Sequence, residues 1–212
     1  MTIDKAASDV VPETSEATAT ATAVASSASQ RERLLNAAVD LFYRHGVGVG
    51  ANALCKSAGI SKKSMYQLFD SKDALLVAAL ERRVLADAAF LLPPPDFGPS
   101  PRARLLHVFR QLEKFAQSPD YMGCAFLAPQ VELKDSAHPA SLVAARVKRQ
   151  HLEGFFRTEA ERGNATDPDF LTRQLAVLYD GASTRAGIGA DDLRGLAVTT
   201  AETLIEAAGV TD

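Results

Sequence analysis

From position 30 onward the apolar residues of this chain recur at three- and four-residue intervals, and no stretch alternates strictly with period two, so an all-α protein is expected. Leu34, Leu35, Ala38, Leu41 and Phe42 mark a first helix, which His45-Gly46 closes with a glycine stop. Residues 51–58 read as a short second helix with Leu54 and Cys55 turned inward, and Gly59-Ile60 as the turn after it. Ser61 caps a third helix reaching about Phe69. Ser71 caps a fourth, long and apolar-rich, running through Leu75, Leu76, Ala79, Leu80, Val84 and Leu85 to about Leu91. Pro93-Pro94-Pro95 stops it and lies near the seam between two lobes, with the fourth helix serving both. At least five more helical stretches follow, near residues 101–117, 123–134, 139–162, 168–188 and 190–208, and the breaks between them carry Pro, Gly or Asn. The fold expected is a three-helix, helix-turn-helix head followed by a helical body, about nine helices in all.

Residues 1–29 break this pattern. They are mostly Ala, Thr, Ser and Glu, with too little large apolar surface to offset the entropy of ordering, and are expected to be a disordered tail. As an accessory arm on DNA the segment has the wrong sign, since Lys5 stands against Asp4, Asp9, Glu13 and Glu16. The organisation expected is a tail over 1–29, a helix-turn-helix domain over 30–76 and a helical domain over 77–212.

Charge adds something the pattern does not. A net charge of −3 on 212 residues argues against a general nucleic-acid coat protein. Yet residues 30–72 hold seven basic and three acidic side chains, +4, which leaves −7 on the remainder. A basic lobe on an acidic body is the asymmetry expected where one lobe meets phosphate. Cys55 and Cys124, the two cysteines, form no CxxC pair, so neither a disulfide framework nor a zinc site follows, and a reducing cytoplasmic compartment is expected. No apolar run approaches the roughly 20 residues of a membrane span. No continuous apolar stretch near the start reads as a secretory signal.

The basic lobe has chemistry at residues 54–69. A short helix ends at a glycine turn and a second begins at once, so the two cross and pack through Leu54, Ala58, Ile60, Met65 and Phe69, with Cys55 and Ala58 small enough for close approach. The second helix opens Ser61-Lys62-Lys63-Ser64, which gathers free backbone N–H groups, the positive end of the helix dipole and two cations, a setting for an anion. In a recognition helix the first residues meet base edges in the major groove, and Gln67 lies one turn on from Lys63. Lysine can donate to guanine and glutamine can pair with adenine. Each side chain has a plainer alternative: the lysines a solvated helix face, Ser61 and Ser71 simple caps, Tyr66 a core aromatic with a wet hydroxyl. Gathered in one basic lobe, these alternatives compete poorly.

The stretch 31–80 resembles the DNA-binding domain of the TetR family of bacterial one-component regulators. The resemblance rests on Ala37-Ala38, Leu41-Phe42 and His45-Gly46, then Leu54-Cys55-Lys56-Ser57-Ala58-Gly59-Ile60-Ser61, Met65-Tyr66, Phe69, and Ser71-Lys72-Asp73 with Leu75-Leu76. It implies that Tyr66 and Lys72 clamp phosphate, that Lys62, Lys63, Ser64 and Gln67 face the groove, and that Gly50, Ala51 and Asn52 begin a scaffold helix that also approaches phosphate. Gly50 and Ala51 depart from the family pattern, which favours Thr or Ser and then a β-branched residue; Cys55 stands where Ala is usual.

For the body the resemblance implies a small-molecule pocket and a dimer interface. The segment 121–126 followed by Glu132-Leu133 is similar to a Gly-Cys segment that opens a pocket helix in one large subgroup. The pocket residues chosen on that ground are Phe109, Leu112, Cys124, Phe126, Gln130, Phe155 and Tyr179, although aromatics at helical spacing also serve as core. Cys124 invites a redox role, but its sequence neighbours supply no cation to lower its pKa, which favours a small buried residue. The last two helices carry Leu175, Leu178, Ala182 and Ala186, then Leu193, Leu196, Ala197, Thr200, Leu204 and Ile205. The resemblance implies that they pair with their copies in a homodimer on a palindromic operator; the alternative is that they complete the monomer core. No catalytic constellation, cofactor motif or metal set is legible: His107, His138 and His151 lack helical zinc spacing, Glu153 does not share a face with His151, and no phosphate loop or nucleophile elbow occurs. The expected function is a repressor on double-stranded DNA released by an unknown small-molecule effector. An activator, a regulator without ligand, an enzyme with an appended head and an interaction module that has lost DNA are the alternatives.

Overall fold

The structure, a computed structural model, describes residues 14–98 and 100–210. Its elements are α1 (Thr14–His45), α2 (Ala51–Ala58), α3 (Lys62–Leu68), α4 (Lys72–Leu91), α5 (Pro101–Ala116), α6 (Ala128–Leu133), α7 (Pro139–Val147), a π-helical turn (Lys148–Glu153), α8 (Gly154–Arg162), α9 (Pro168–Gly187) and α10 (Leu196–Ala207). Every element among the described residues is helical, and α7, the π turn and α8 form one unbroken run, so nine helical rods result.

Helix starts follow cap chemistry. Ser61, Ser71, Ser100 and Asp167 each accept a hydrogen bond from a first-turn backbone N–H of α3, α4, α5 and α9. Pro101 and Pro168 occupy first-turn positions, where no N–H is missed. Gly59 ends α2 in the left-handed region at φ 64°.

Three expectations change. Residues 14–29, read as tail, continue α1, while residues 1–13 lie outside the described residues. Once residues 30–45 are anchored by packing, an alanine-rich continuation needs no new helix nucleus. The helix expected over 123–134 is shortened to α6: Gly123 sits at φ 90°, and Pro129 fits only a first turn. The one expected over 190–208 begins at Leu196, after Leu193, Arg194 and Gly195 all adopt positive φ. Glu113 of α5 supplies the missing cap, accepting from the N–H groups of Gly195, Ala197 and Val198 at 2.8, 2.9 and 3.1 Å.

Two cores form. One gathers α5, the π turn, α8, α9 and α10 around Phe109, Phe156, Leu175 and Ile205. The other holds α1 to α4 together through Leu34, Leu54, Met65 and Leu76, but also takes in Phe126, Ala140, Ala144 and Val147 from the second half of the chain. The head therefore does not close at residue 76; α7 is packed into its core. Among the described residues no helix is long and apolar enough to cross a membrane.

Candidate functional site

The reading helix stands on a buried base. Met65 is fully buried and its sulfur lies 3.7 Å from Cys55 Sγ, so α2 and α3 meet through two sulfur side chains. Arg31 sits over the Phe69 ring at 4.7 Å, and Arg33 Nε donates to the Ala58 carbonyl at 3.1 Å, binding α1 to the ends of both α2 and α3. With that side fixed, Lys62, Lys63, Tyr66 and Gln67 are all exposed on adjoining positions of α3. Among the described residues neither Lys62 nor Lys63 has an ion-pair partner. Ser61 accepts from the Ser64 N–H at 3.0 Å, and the two hydroxyls lie 2.9 Å apart, so both serines are engaged in the cap. Gly50 and Asn52 are exposed and Ala51 packs partly against the head core. At Gly50 φ is −78°, no side chain caps α2, and a Cβ would meet nothing within 4 Å. Lys72 is half-buried, and its ammonium donates to the Val47 carbonyl in the α1–α2 loop at 2.8 Å.

That loop is tied to the body. Glu132 of α6 accepts from the Val47 N–H at 2.7 Å, so one peptide residue bridges Glu132 and Lys72. Gly46 makes room for it: at φ 78°, a Cβ there would fall 2.4 Å from the Glu132 carboxylate. His138 accepts from the Ala140 N–H through Nδ1, which leaves the ring proton on Nε2, 3.4 Å from Asp73 of α4. Arg44 bonds Asp120 at 2.8 Å, and the Tyr43 hydroxyl accepts from the Met122 N–H at 3.0 Å while donating to the Gly123 carbonyl at 3.2 Å.

Behind these ties lies a cavity of about 380 Å3. Its wall comes from the end of α1 (Tyr43), the second half of α4 (Arg83, Asp87, Phe90), Phe115 of α5, the 118–126 loop, the π turn (Lys148, His151, Leu152) and Tyr179 of α9. The π turn widens the helical register where three of its residues face the cavity. Of the pocket residues chosen from sequence, Cys124, Phe126 and Tyr179 line this space. The other four lie elsewhere. Phe109 and Leu112 are fully buried, Phe109 stacked on Phe156 at 5.8 Å. Gln130 donates to the Phe126 carbonyl at 2.7 Å, and Phe155 packs at the body core with Arg104 above its ring at 5.9 Å. Helical spacing shows that a residue faces inward but not whether the interior there is filled or hollow. Tyr43, Arg83 and Asp87 escaped the sequence reading because they belong to helices assigned to the head or its link; no local signal marks the π turn. Burial pushes the Cys124 thiol up, outweighing the Phe126 and Leu127 N–H groups and Lys148, which opposes a thiolate sensor. No group of three or more metal-ligating side chains occurs among the described residues.

The expected dimer stripe divides. Leu175, Leu193, Ala197 and Ile205 are within the monomer core. A different face of α9 is exposed, carrying Phe170, Val177, Gly181 and Thr184 at helical spacing, with Ile188 just past its end and Leu196 of α10 also exposed.

A helix-turn-helix whose exposed lysines are unpaired, joined by hydrogen bonds to a hollow helical body, defines a DNA-binding transcriptional regulator. Residues 34–79 match the family described as bacterial regulatory proteins, tetR family. A TetR transcriptional regulator from Streptomyces avermitilis is similar at 59% identity and TM-score 0.83, over 86% of this chain and 99% of that one. A TetR-family regulator from Streptomyces coelicolor gives 25% identity and TM-score 0.75, over 86% and 97%. The reduced form of Escherichia coli NemR shares the fold at 24% identity and TM-score 0.68, over 84% and 96%. A comparison with curated proteins gave no match. The chain belongs to the TetR family of transcriptional regulators.

Proposed function

We propose that the protein is a repressor that holds a palindromic operator as a two-fold dimer and releases it when a small molecule fills the body cavity. The observation that carries this reading is that Tyr43, a residue of helix α1 of the head, lines the cavity and is hydrogen-bonded to Met122 and Gly123 in the loop that forms the adjoining wall. A ligand that moves the 118–126 loop must disturb a head helix. The same loop leads into α6, whose Glu132 holds Val47, which holds Lys72. A ligand shifts the population only by binding one arrangement better than the other, and these bonds are what the two arrangements would make differently.

In this reading Lys62, Lys63 and Gln67 read base edges, while Tyr66, Lys72, the Ser61–Ser64 turn and the start of α2 at Gly50, Ala51 and Asn52 approach phosphate. Two heads enter successive major grooves roughly 34–36 Å apart, or a multiple of that. The exposed face of α9 with Leu196 supplies the dimer contact, so that the two-fold axis passes through the body.

The test is a gel shift on DNA upstream of the protein's own reading frame, over a range of salt. Wild-type protein should bind with steep salt dependence. Tyr66→Ala should weaken binding about tenfold on every sequence. Unchanged affinity and salt slope in Tyr66→Ala would sink the reading.

A further inference from the structure

The cavity wall specifies the kind of molecule it takes, given the reading above that it is the effector site. Its formal charges are already matched inside the protein. Arg83 grips Asp87 with two nitrogens at 3.1 and 3.3 Å and lies over the Tyr43 ring at 4.1 Å. Asp120 is bonded to Arg44 at 2.8 Å, and Lys148 to Asp180. The last pair is the least able to open. Asp180 Oδ1 is buried without a hydrogen-bond partner, so Lys148 is what compensates that carboxylate; turning it toward a ligand anion would leave the half-buried carboxylate without its counter-charge. A ligand cation must compete with Arg83, which holds both oxygens of the half-buried Asp87.

The uncharged polar groups are nearly all used as well. Three of the chain's four tyrosines line the cavity. Tyr43 is spent on Met122 and Gly123, and Tyr121 lies 2.8 Å from the Ser183 hydroxyl. Tyr179 differs. It is 7% exposed, yet among the described residues its hydroxyl makes no hydrogen bond, and that oxygen is not among the sealed polar atoms. That oxygen therefore opens into the cavity, where a ligand acceptor can take the place of water. Burial pushes its pKa far up, so it is a donor at any physiological pH. The rest of the wall is mainly aromatic and aliphatic, including Phe90, Phe115, Phe126 and Leu152, with His151 and Ser118, which accepts from the Asp120 N–H at 3.3 Å, as its remaining polar side chains.

We infer that the cavity takes an uncharged, mainly apolar molecule bearing a hydrogen-bond-accepting oxygen, and that the Tyr179 hydroxyl donates to that oxygen. A ketone, quinone or ester on an aromatic or alicyclic frame has this chemistry; carboxylates, phosphates and amines do not.

Four probes on one frame test it by equilibrium dialysis against the full chain: 2-acetylnaphthalene, 2-ethylnaphthalene, 2-naphthoate and 2-naphthylmethylammonium. The ketone should bind at least about tenfold tighter than either ion. Tyr179→Phe removes only an oxygen that bonds nothing in the protein, so its thermal midpoint should hold. It should weaken the ketone by roughly two- to tenfold and leave the ethyl compound unchanged. The inference is overturned if either ion matches the ketone, if Tyr179→Phe binds the ketone as well as wild type, or if none of the four binds. Gel shifts run alongside separate it from the effector reading. Naphthoate that binds and releases DNA would refute the charge class and keep the effector site. A ketone that binds through Tyr179 without changing operator affinity would keep the occupant and refute its role as effector.

Discussion

Glu113 shows how a single side chain can set where a helix begins. Three backbone N–H groups of the α10 entry converge on its carboxylate, across more than eighty positions of sequence. Glu113→Ala should cost about 2 kcal/mol, and hence lower the thermal midpoint by roughly 4–8 °C in a chain of this size. Gly50 offers the opposite case. Its φ of −78° is open to any residue and a Cβ meets nothing, so Gly50→Ser should add the absent α2 cap and stabilise by about 0.5 kcal/mol in urea denaturation. Lys72 lies between these two. The resemblance implies a phosphate clamp at Lys72, but nothing in the sequence pointed to its bond to the Val47 carbonyl, because a backbone acceptor has no residue identity to read. Lys72→Ala should weaken operator binding on all sequences and lower the magnitude of the salt slope by about 1. An unchanged slope would show that this ammonium stays on Val47 in the complex.

At the scale of elements, what the sequence made legible was whatever depends on local signals. The α2–turn–α3 unit follows from Leu54, Gly59, Ser61 and Met65 at fixed spacing, and the structure places these residues as their types require. The shortened α6 and late α10 depend instead on distant partners. Gly123 is held at positive φ beside the Ser183 carbonyl, and Glu113 reaches α10 from another helix. The cavity was half legible for the same reason: Cys124, Phe126 and Tyr179 sit on the expected inward faces, whereas the head and the π turn contribute walls that no period marks. Gly187 shows how tightly these elements meet. A Cβ there would fall 2.5 Å from the Gly123 nitrogen and 2.6 Å from the Met122 carbonyl carbon, both backbone atoms. Gly187→Ala must push the 122–123 loop away from α9, at about 1–3 kcal/mol by thermal unfolding. It should also loosen the hold on Tyr43, read as faster hydrogen exchange at the Met122 amide.

For the molecule as a whole, the exposed face of α9 is the surface that asks for a partner. Val177 is 73% exposed in the middle of it, so Val177→Glu leaves the fold intact and places a charge where two copies would meet. Sedimentation should then give a monomer where wild type gives a dimer, and operator affinity should fall with it; a dimer that survives Val177→Glu would move the interface elsewhere. The head core, sealed partly by α7, makes head and body a single mechanical object. The Val47 peptide has a consequence of its own here. Its N–H answers to the body through Glu132 and its carbonyl to the head through Lys72. If that joint carries the coupling, the account is reciprocal: by whatever factor the effector lowers operator affinity, the operator lowers effector affinity by the same factor. An effector titrated against free protein would then look stronger than it is at the promoter, where the first molecules to respond are those not sitting on DNA.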